Sequence, residues 1–139
     1  MTERPIAGKR LEGCRIVIVE DELLIAMALE QILQDAGATI VGMAGCVADA
    51  LALIAREDFD AAVLDARLDD ERVTAIADAL EAGAKPFIFH SGYGPEHLPP
   101  EHRHRPLLRK PSDPAAIVRV LCNAIACTES GEPGPANRA

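Results

Sequence analysis

The stretch RIVIVEDELL, Arg15 to Leu24, decides the reading of the fold. Ile16-Val17-Ile18-Val19 is an unbroken β-branched run, the pattern of a strand covered on both faces. Three carboxylates, Glu20-Asp21-Glu22, follow at once and lead into a helical pattern. Over Glu22–Ala36 the residues Ile25, Leu29, Ile32 and Leu33 fall on one stripe, and Gly37 is placed to stop the helix. A buried strand therefore delivers adjacent negative charges to its own carboxyl end, and the rest of the chain has to explain why.

The alternation continues outward from this unit. Strands are expected at Thr39–Ala44, Asp60–Leu64, Pro86–His90 and Pro106–Arg109. Helices are expected at Val47–Arg56, Glu71–Glu81 and Asp113–Ala126, with apolar residues at helical spacing. Strand-helix alternation with apolar strands implies a doubly wound α/β fold, a parallel sheet with helices on both faces. Ligands in such sheets bind beyond the carboxyl ends of the strands. That edge gathers Glu20 and Asp21 from the first strand, Asp65 from the third, Ser91 from the fourth and Lys110 from the fifth.

Composition narrows the classes. At 139 residues, 49% hydrophobic, one domain with a proper core is expected. Net charge is −8, which argues against a general nucleic-acid partner. The N-terminus has no signal-peptide core and no stretch approaches membrane-spanning length, so the expectation is cytoplasmic, with no membrane partner. Cys14, Cys46, Cys122 and Cys127 form no CxxC pair and read as reduced packing residues. Residues 1–13 read as a flexible arm, 14–127 as the domain, and 128–139, rich in Pro, Gly and Ser, as a disordered tail.

Three carboxylates on one rim repel one another unless a cation intervenes. A hard divalent ion with oxygen ligands is the simplest remedy, and Mg²⁺ fits a site with few carboxylates and several waters. Lys110 adds a second positive charge and Ser91 a hydroxyl, a set suited to phosphoryl oxygens. Asp65 is then available as a nucleophile, and the product is an aspartyl phosphate.

With these residues in hand, the chain resembles a response-regulator receiver domain over about Cys14 to Cys127. The acidic pair Glu20-Asp21, Asp65, Ser91 and Lys110-Pro111 match the family pattern in order and spacing. The resemblance implies a flavodoxin-like five-stranded sheet of order 2-1-3-4-5. It implies that Asp65 accepts a phosphoryl group from a histidine kinase or histidine phosphotransfer protein. Asp21 would ligate Mg²⁺ directly, Glu20 mostly through water, and the backbone carbonyl of Arg67 would be a further ligand. Ser91 and Lys110 would meet the phosphoryl group, and the Lys110-Pro111 bond would be cis. The expected protein is a stand-alone receiver. It would act as a phosphorelay shuttle or sink, or as a switch for a downstream protein, and not as a turnover enzyme.

Some positions depart from the family. DARLDDERV, Asp65 to Val73, lacks the usual proline and glycine, and Leu107 stands where an aromatic switch residue is expected. PFIFHSGYG, Pro86 to Gly94, resembles the P-F-x-F-A-T-G-Y-G motif of an alphaproteobacterial single-domain subgroup, with His90 and Ser91 in place of Ala and Thr. That resemblance, with Pro95, Pro99 and Pro100, implies a loop in place of the fourth helix, and Ser91–Pro106 is the candidate moving element. Arg67 and Tyr93 are expected to flank the phosphoryl site.

Blander readings stand beside these. Glu20-Asp21-Glu22 also suits a helix N-terminus, and Asp69 and Asp70 read as solvated loop charges. His97, His102 and His104 invite a metal reading, but no Cys or carboxylate has matching spacing. With Arg103, Arg105 and Arg109 they read as a basic patch. The alternative function is a degenerate receiver that binds proteins without phosphorylation. An aspartyl-nucleophile phosphatase would want a second Asp where Arg67 stands.

Overall fold

The computed structural model describes residues 10–68 and 71–130. Its elements run β1 (Arg15–Val19), α1 (Leu23–Asp35), β2 (Thr39–Ala44), α2 (Val47–Arg56), β3 (Ala61–Leu64), β4 (Arg67–Leu68), β5 (Glu71–Arg72), α3 (Thr74–Ala82), β6 (Phe87–Ser91), β7 (Leu107–Arg109) and α4 (Pro114–Ser130). Five strands form a parallel sheet of order β2-β1-β3-β6-β7. Numbered within that sheet alone, this is the expected 2-1-3-4-5. Strand order reverses between β1 and β3, which opens a crevice at the carboxyl edge.

The pleat sorts the strands' side chains onto two faces. Val17, Val19, Ala62, Leu64, Phe87 and Phe89 join the core with Ala50 and Leu53 of α2 and Ile76, Ala77 and Leu80 of α3. Ile16, Ile18, Ala61, Val63 and Ile88 join the opposite core with Ala26, Leu29 and Leu33 of α1 and Ile117 and Leu121 of α4. Ile16 to Val19 thus alternate between the two cores, and each fully buried Leu or Ile contributes about 1.5–3 kcal/mol. Gly42 lets α2 approach β2: a Cβ there would stand 2.5 Å from Leu53 Cδ1.

Two helix ends show different solutions. Gly37 closes α1 at φ +100, as its position after the apolar stripe implies. At the end of α3 that role falls to Ala84, at φ 57, while Lys85 N–H bonds back to the Leu80 carbonyl at 2.9 Å.

Three expectations are corrected. Leu11 is no part of a loose arm: it is buried beside α1 and α4, and its N–H bonds to the Ala36 carbonyl at 2.8 Å. Residues 1–9 lie outside the described residues. Glu71 and Arg72 are not helical: they pair antiparallel with Leu68 and Arg67 as a short hairpin, and α3 begins at Thr74. Asp69 and Asp70, between the two strands, lie outside the described residues. The last helix continues to Ser130, past the expected Ala126; residues 131–139 lie outside the described residues.

Between β6 and β7 there is no α-helix among the described residues. Two 3₁₀ turns, Pro95–His97 and Pro100–His102, take its place. Each opens on a proline, whose fixed φ suits a first turn and whose missing N–H costs nothing there. Leu98 pins the segment to the α2/α3 core. None of the described helices is long and apolar enough to cross a membrane.

Candidate functional site

Strand pairing carries the functional residues to a common rim. Beyond β1, Glu20 N–H bonds to the Ala44 carbonyl at 2.9 Å, and beyond β3, Asp65 N–H bonds to the Val19 carbonyl at 2.9 Å. Lys110 N–H bonds to the Ser91 carbonyl at 2.7 Å, which sets Lys110 beside the tip of β6. The Lys110-Pro111 peptide is cis, as the family resemblance implies.

The side chains converge accordingly. Lys110 Nζ donates to Asp65 Oδ2 at 3.2 Å and stands 2.8 Å from Glu20 Oε1. Carboxylate oxygens of Glu20, Asp21 and Asp65 all lie within 4.8 Å of one another. Asp21, Glu22, Asp65, Arg67, Gly92, Tyr93 and Lys110 line a cleft of about 510 Å³. Arg67 and Tyr93 meet across it, the guanidinium 5.8 Å from the ring centre. The expected flanking pair is therefore beside Asp65. Ser91 is at the tip of β6 and buried, where its Oγ accepts the Tyr93 N–H at 3.0 Å. Leu107 packs partly buried against the α2/α3 core, so no ring occupies the aromatic switch position.

The electrostatics show strain of a useful kind. Glu20 is 4% exposed. Burial first, opposed by Lys110 and reinforced by the charge of Asp65, pushes its carboxyl up to about 7. Burial opposes the Lys110 charge, but the contacts with Glu20 and Asp65 outweigh it and raise the ammonium above its usual range. One ammonium thus serves two carboxylates, and a third, Asp21, lies beside them. Glu20 Oε1 is paired with the Lys110 ammonium at 2.8 Å. A buried carboxylate that shares one ammonium with Asp65, with Asp21 beside them, fits a hard divalent cation. The donor set is therefore suited to Mg²⁺, with Glu20, Asp21 and Asp65 as the residues to hold it.

Two features escaped the sequence reading. His90 is buried with neither ring nitrogen hydrogen-bonded, and burial lowers its pKa. The expected basic patch is also broken up. His102 is fully buried, Arg105 lies over the Phe87 ring at 4.5 Å, and His97 packs 4.7 Å from Tyr93. An aromatic contact or a buried imidazole has no periodic signature, so only the fold reveals them.

A parallel sheet of this order, bearing this acid-acid-Asp-Lys rim, is the architecture of a receiver domain. The chain belongs to the response-regulator receiver family. It is 39% identical to SdrG from Sphingomonas melonis Fr1, over 81% of this chain and 96% of that one, with a TM-score of 0.73. It is 28% identical to the receiver domain of the Erythrobacter litoralis response regulator PhyR, over 90% of this chain and 96% of that one, with a TM-score of 0.70. It is 31% identical to the phyllosphere-induced regulator PhyR of Methylorubrum extorquens, over 96% of this chain and 52% of that protein. The chain thus spans about half the length of this curated relative. No family model matches the sequence.

Proposed function

We propose that this receiver takes a phosphoryl group on Asp65 from a phosphohistidine of a histidine kinase or phosphotransfer protein, and passes it on or uses it to engage a protein partner. The observation that carries the reading is the meeting of Lys110 Nζ with both Glu20 and Asp65, at 2.8 and 3.2 Å, beside Asp21.

In this mechanism an Asp65 oxygen attacks phosphorus in line with the phosphohistidine nitrogen. The O–P bond forms as the N–P bond breaks, and the imidazole leaves with the electron pair and takes a proton from solvent. Lys110 then turns from the bare carboxylate to a phosphoryl oxygen. Ser91 gives up the Tyr93 amide and donates its hydroxyl to another. Arg67 and Tyr93 cover the product and restrict water. Mg²⁺ at Glu20, Asp21 and Asp65, with the Arg67 carbonyl as a further ligand, would supply the positive charge that lets a phosphoryl group approach these carboxylates. No turnover is part of the proposal: the aspartyl phosphate persists until it is hydrolysed slowly or handed on. Rearrangement of Ser91 and Lys110 would reach the Ser91–Pro106 segment, and amide NMR shifts there should change with a phosphoryl mimic.

The test is intact mass after incubation with acetyl phosphate and Mg²⁺. A labile gain of one phosphoryl group, lost in Asp65→Asn, supports the reading. No gain, or a gain that survives Asp65→Asn, overturns it and leaves a phosphorylation-independent interaction module.

A further inference from the structure

The second cluster of metal-ligating groups lies on the far side of α3. Asp78 and Glu81, three apart on α3, share one face of the helix, and His102 from the second 3₁₀ turn meets them. Sequence spacing hides this set, because the carboxylates precede the histidine by a whole strand.

The geometry is specific. His102 Nε2 is 2.8 Å from Asp78 Oδ1 and 3.8 Å from Glu81 Oε1. Two bonds of about 2.1 Å at a tetrahedral zinc ion hold their donor atoms about 3.4 Å apart. The two distances bracket that value, and the three donor atoms all lie within 4.8 Å of one another. The imidazole is 0% exposed, while the carboxylates are 61% and 58% exposed. The ring is therefore fixed, and the carboxylates can adjust and leave room for water. Nε2 is the ring nitrogen that faces both carboxylates, while Nδ1 has no hydrogen-bond partner among the described residues. The turn is itself anchored, with His102 N–H on the Pro99 carbonyl at 2.8 Å and Arg105 N–H on the His102 carbonyl at 3.1 Å. The two oxygens of Glu81 are divided: Oε2 faces Arg105 Nη2 at 3.7 Å, and Oε1 faces the histidine. An outer cation of this kind orients a ligating carboxylate.

We propose that Asp78, Glu81 and His102 bind a divalent transition-metal ion, with zinc as the representative, and that water completes its coordination. One imidazole with two carboxylates prefers such an ion over Mg²⁺, which favours oxygen donors alone. The ion adds to the apolar contact of Leu98 and to the His102–Asp78 hydrogen bond in fastening the segment between β6 and β7 to α3. This site is independent of the phosphoryl chemistry at Asp65.

The test is calorimetric titration of the tag-free full chain with zinc chloride, in excess Mg²⁺ to occupy the Asp65 cluster. One zinc site is expected. Removing two of its three ligands in an Asp78→Asn, Glu81→Gln double variant should weaken it by roughly tenfold or more. These carboxylates are surface groups, so the variant avoids the folding risk of His102→Gln. Zinc should also raise the melting temperature of the wild type and not of the double variant. Absence of zinc binding overturns the proposal. So does equal affinity in the double variant, or loss of binding in Glu20→Gln, Asp21→Asn with the α3 carboxylates intact.

Discussion

Replacing Glu20 by Gln should stabilise the metal-free protein at pH 8. The Glu20 carboxyl is raised from an ordinary 4.5 to about 7, with burial the largest cause. At 1.36 kcal/mol per pH unit, keeping it ionised costs roughly 3 kcal/mol, and the coupling to Lys110 and Asp65 reduces what one substitution recovers to about 1–3 kcal/mol. The folded-state value lies above the unfolded one, so the native state holds the proton more tightly. Stability from this group is therefore fully present below 4.5 and lost as pH rises through about 7. Glutamine keeps the shape and removes the charge. Urea unfolding in EDTA should show the variant more stable at pH 8, by several °C in a parallel melt, with the difference shrinking toward zero at pH 5. Comparing the two proteins at each pH cancels the titration of groups such as His90 and Asp60, whose values are lowered. Mg²⁺ at pH 8 should stabilise the wild type more than the variant. A variant less stable than the wild type at pH 8, or a pH-independent gain, would refute the argument that a buried, only partly compensated carboxylate is held here for a cation.

Three further outcomes are expected. Arg67→Ala, Tyr93→Ala should lose aspartyl phosphate faster than the wild type in a mass-spectrometric time course, because the pair covers the cleft beside Asp65; an equal or slower loss counts against the shielding role. Gly42→Ala should cost about 1–3 kcal/mol in urea unfolding, since its Cβ meets Leu53 Cδ1 at 2.5 Å, and Leu53→Ala should absorb part of that cost in the double variant. Ala84→Gly should stabilise by up to about 1 kcal/mol, because glycine relieves the φ of 57 at the end of α3; destabilisation would show that the alanine methyl contributes packing of similar size.

What sequence alone determined is local and periodic. Ile16 to Val19 announces a strand, the stripe Ile25-Leu29-Ile32-Leu33 announces a helix, and such alternation permits few arrangements besides a parallel sheet. Its carboxyl edge must then collect Glu20, Asp21, Asp65, Ser91 and Lys110, since each directly follows or closes a strand. What only the tertiary structure decided depends on residues far apart in the chain. Leu11 is buried because α1 ends beside it, and Glu71-Arg72 is a strand because Arg67-Leu68 returns against it. Glu20 becomes a weak acid because the sheet buries it beside Asp65. His102 meets Asp78 and Glu81 because a proline-led turn folds back onto α3. Periodicity encodes which way a side chain faces, whereas burial, pairing and charge depend on what the fold sets opposite it.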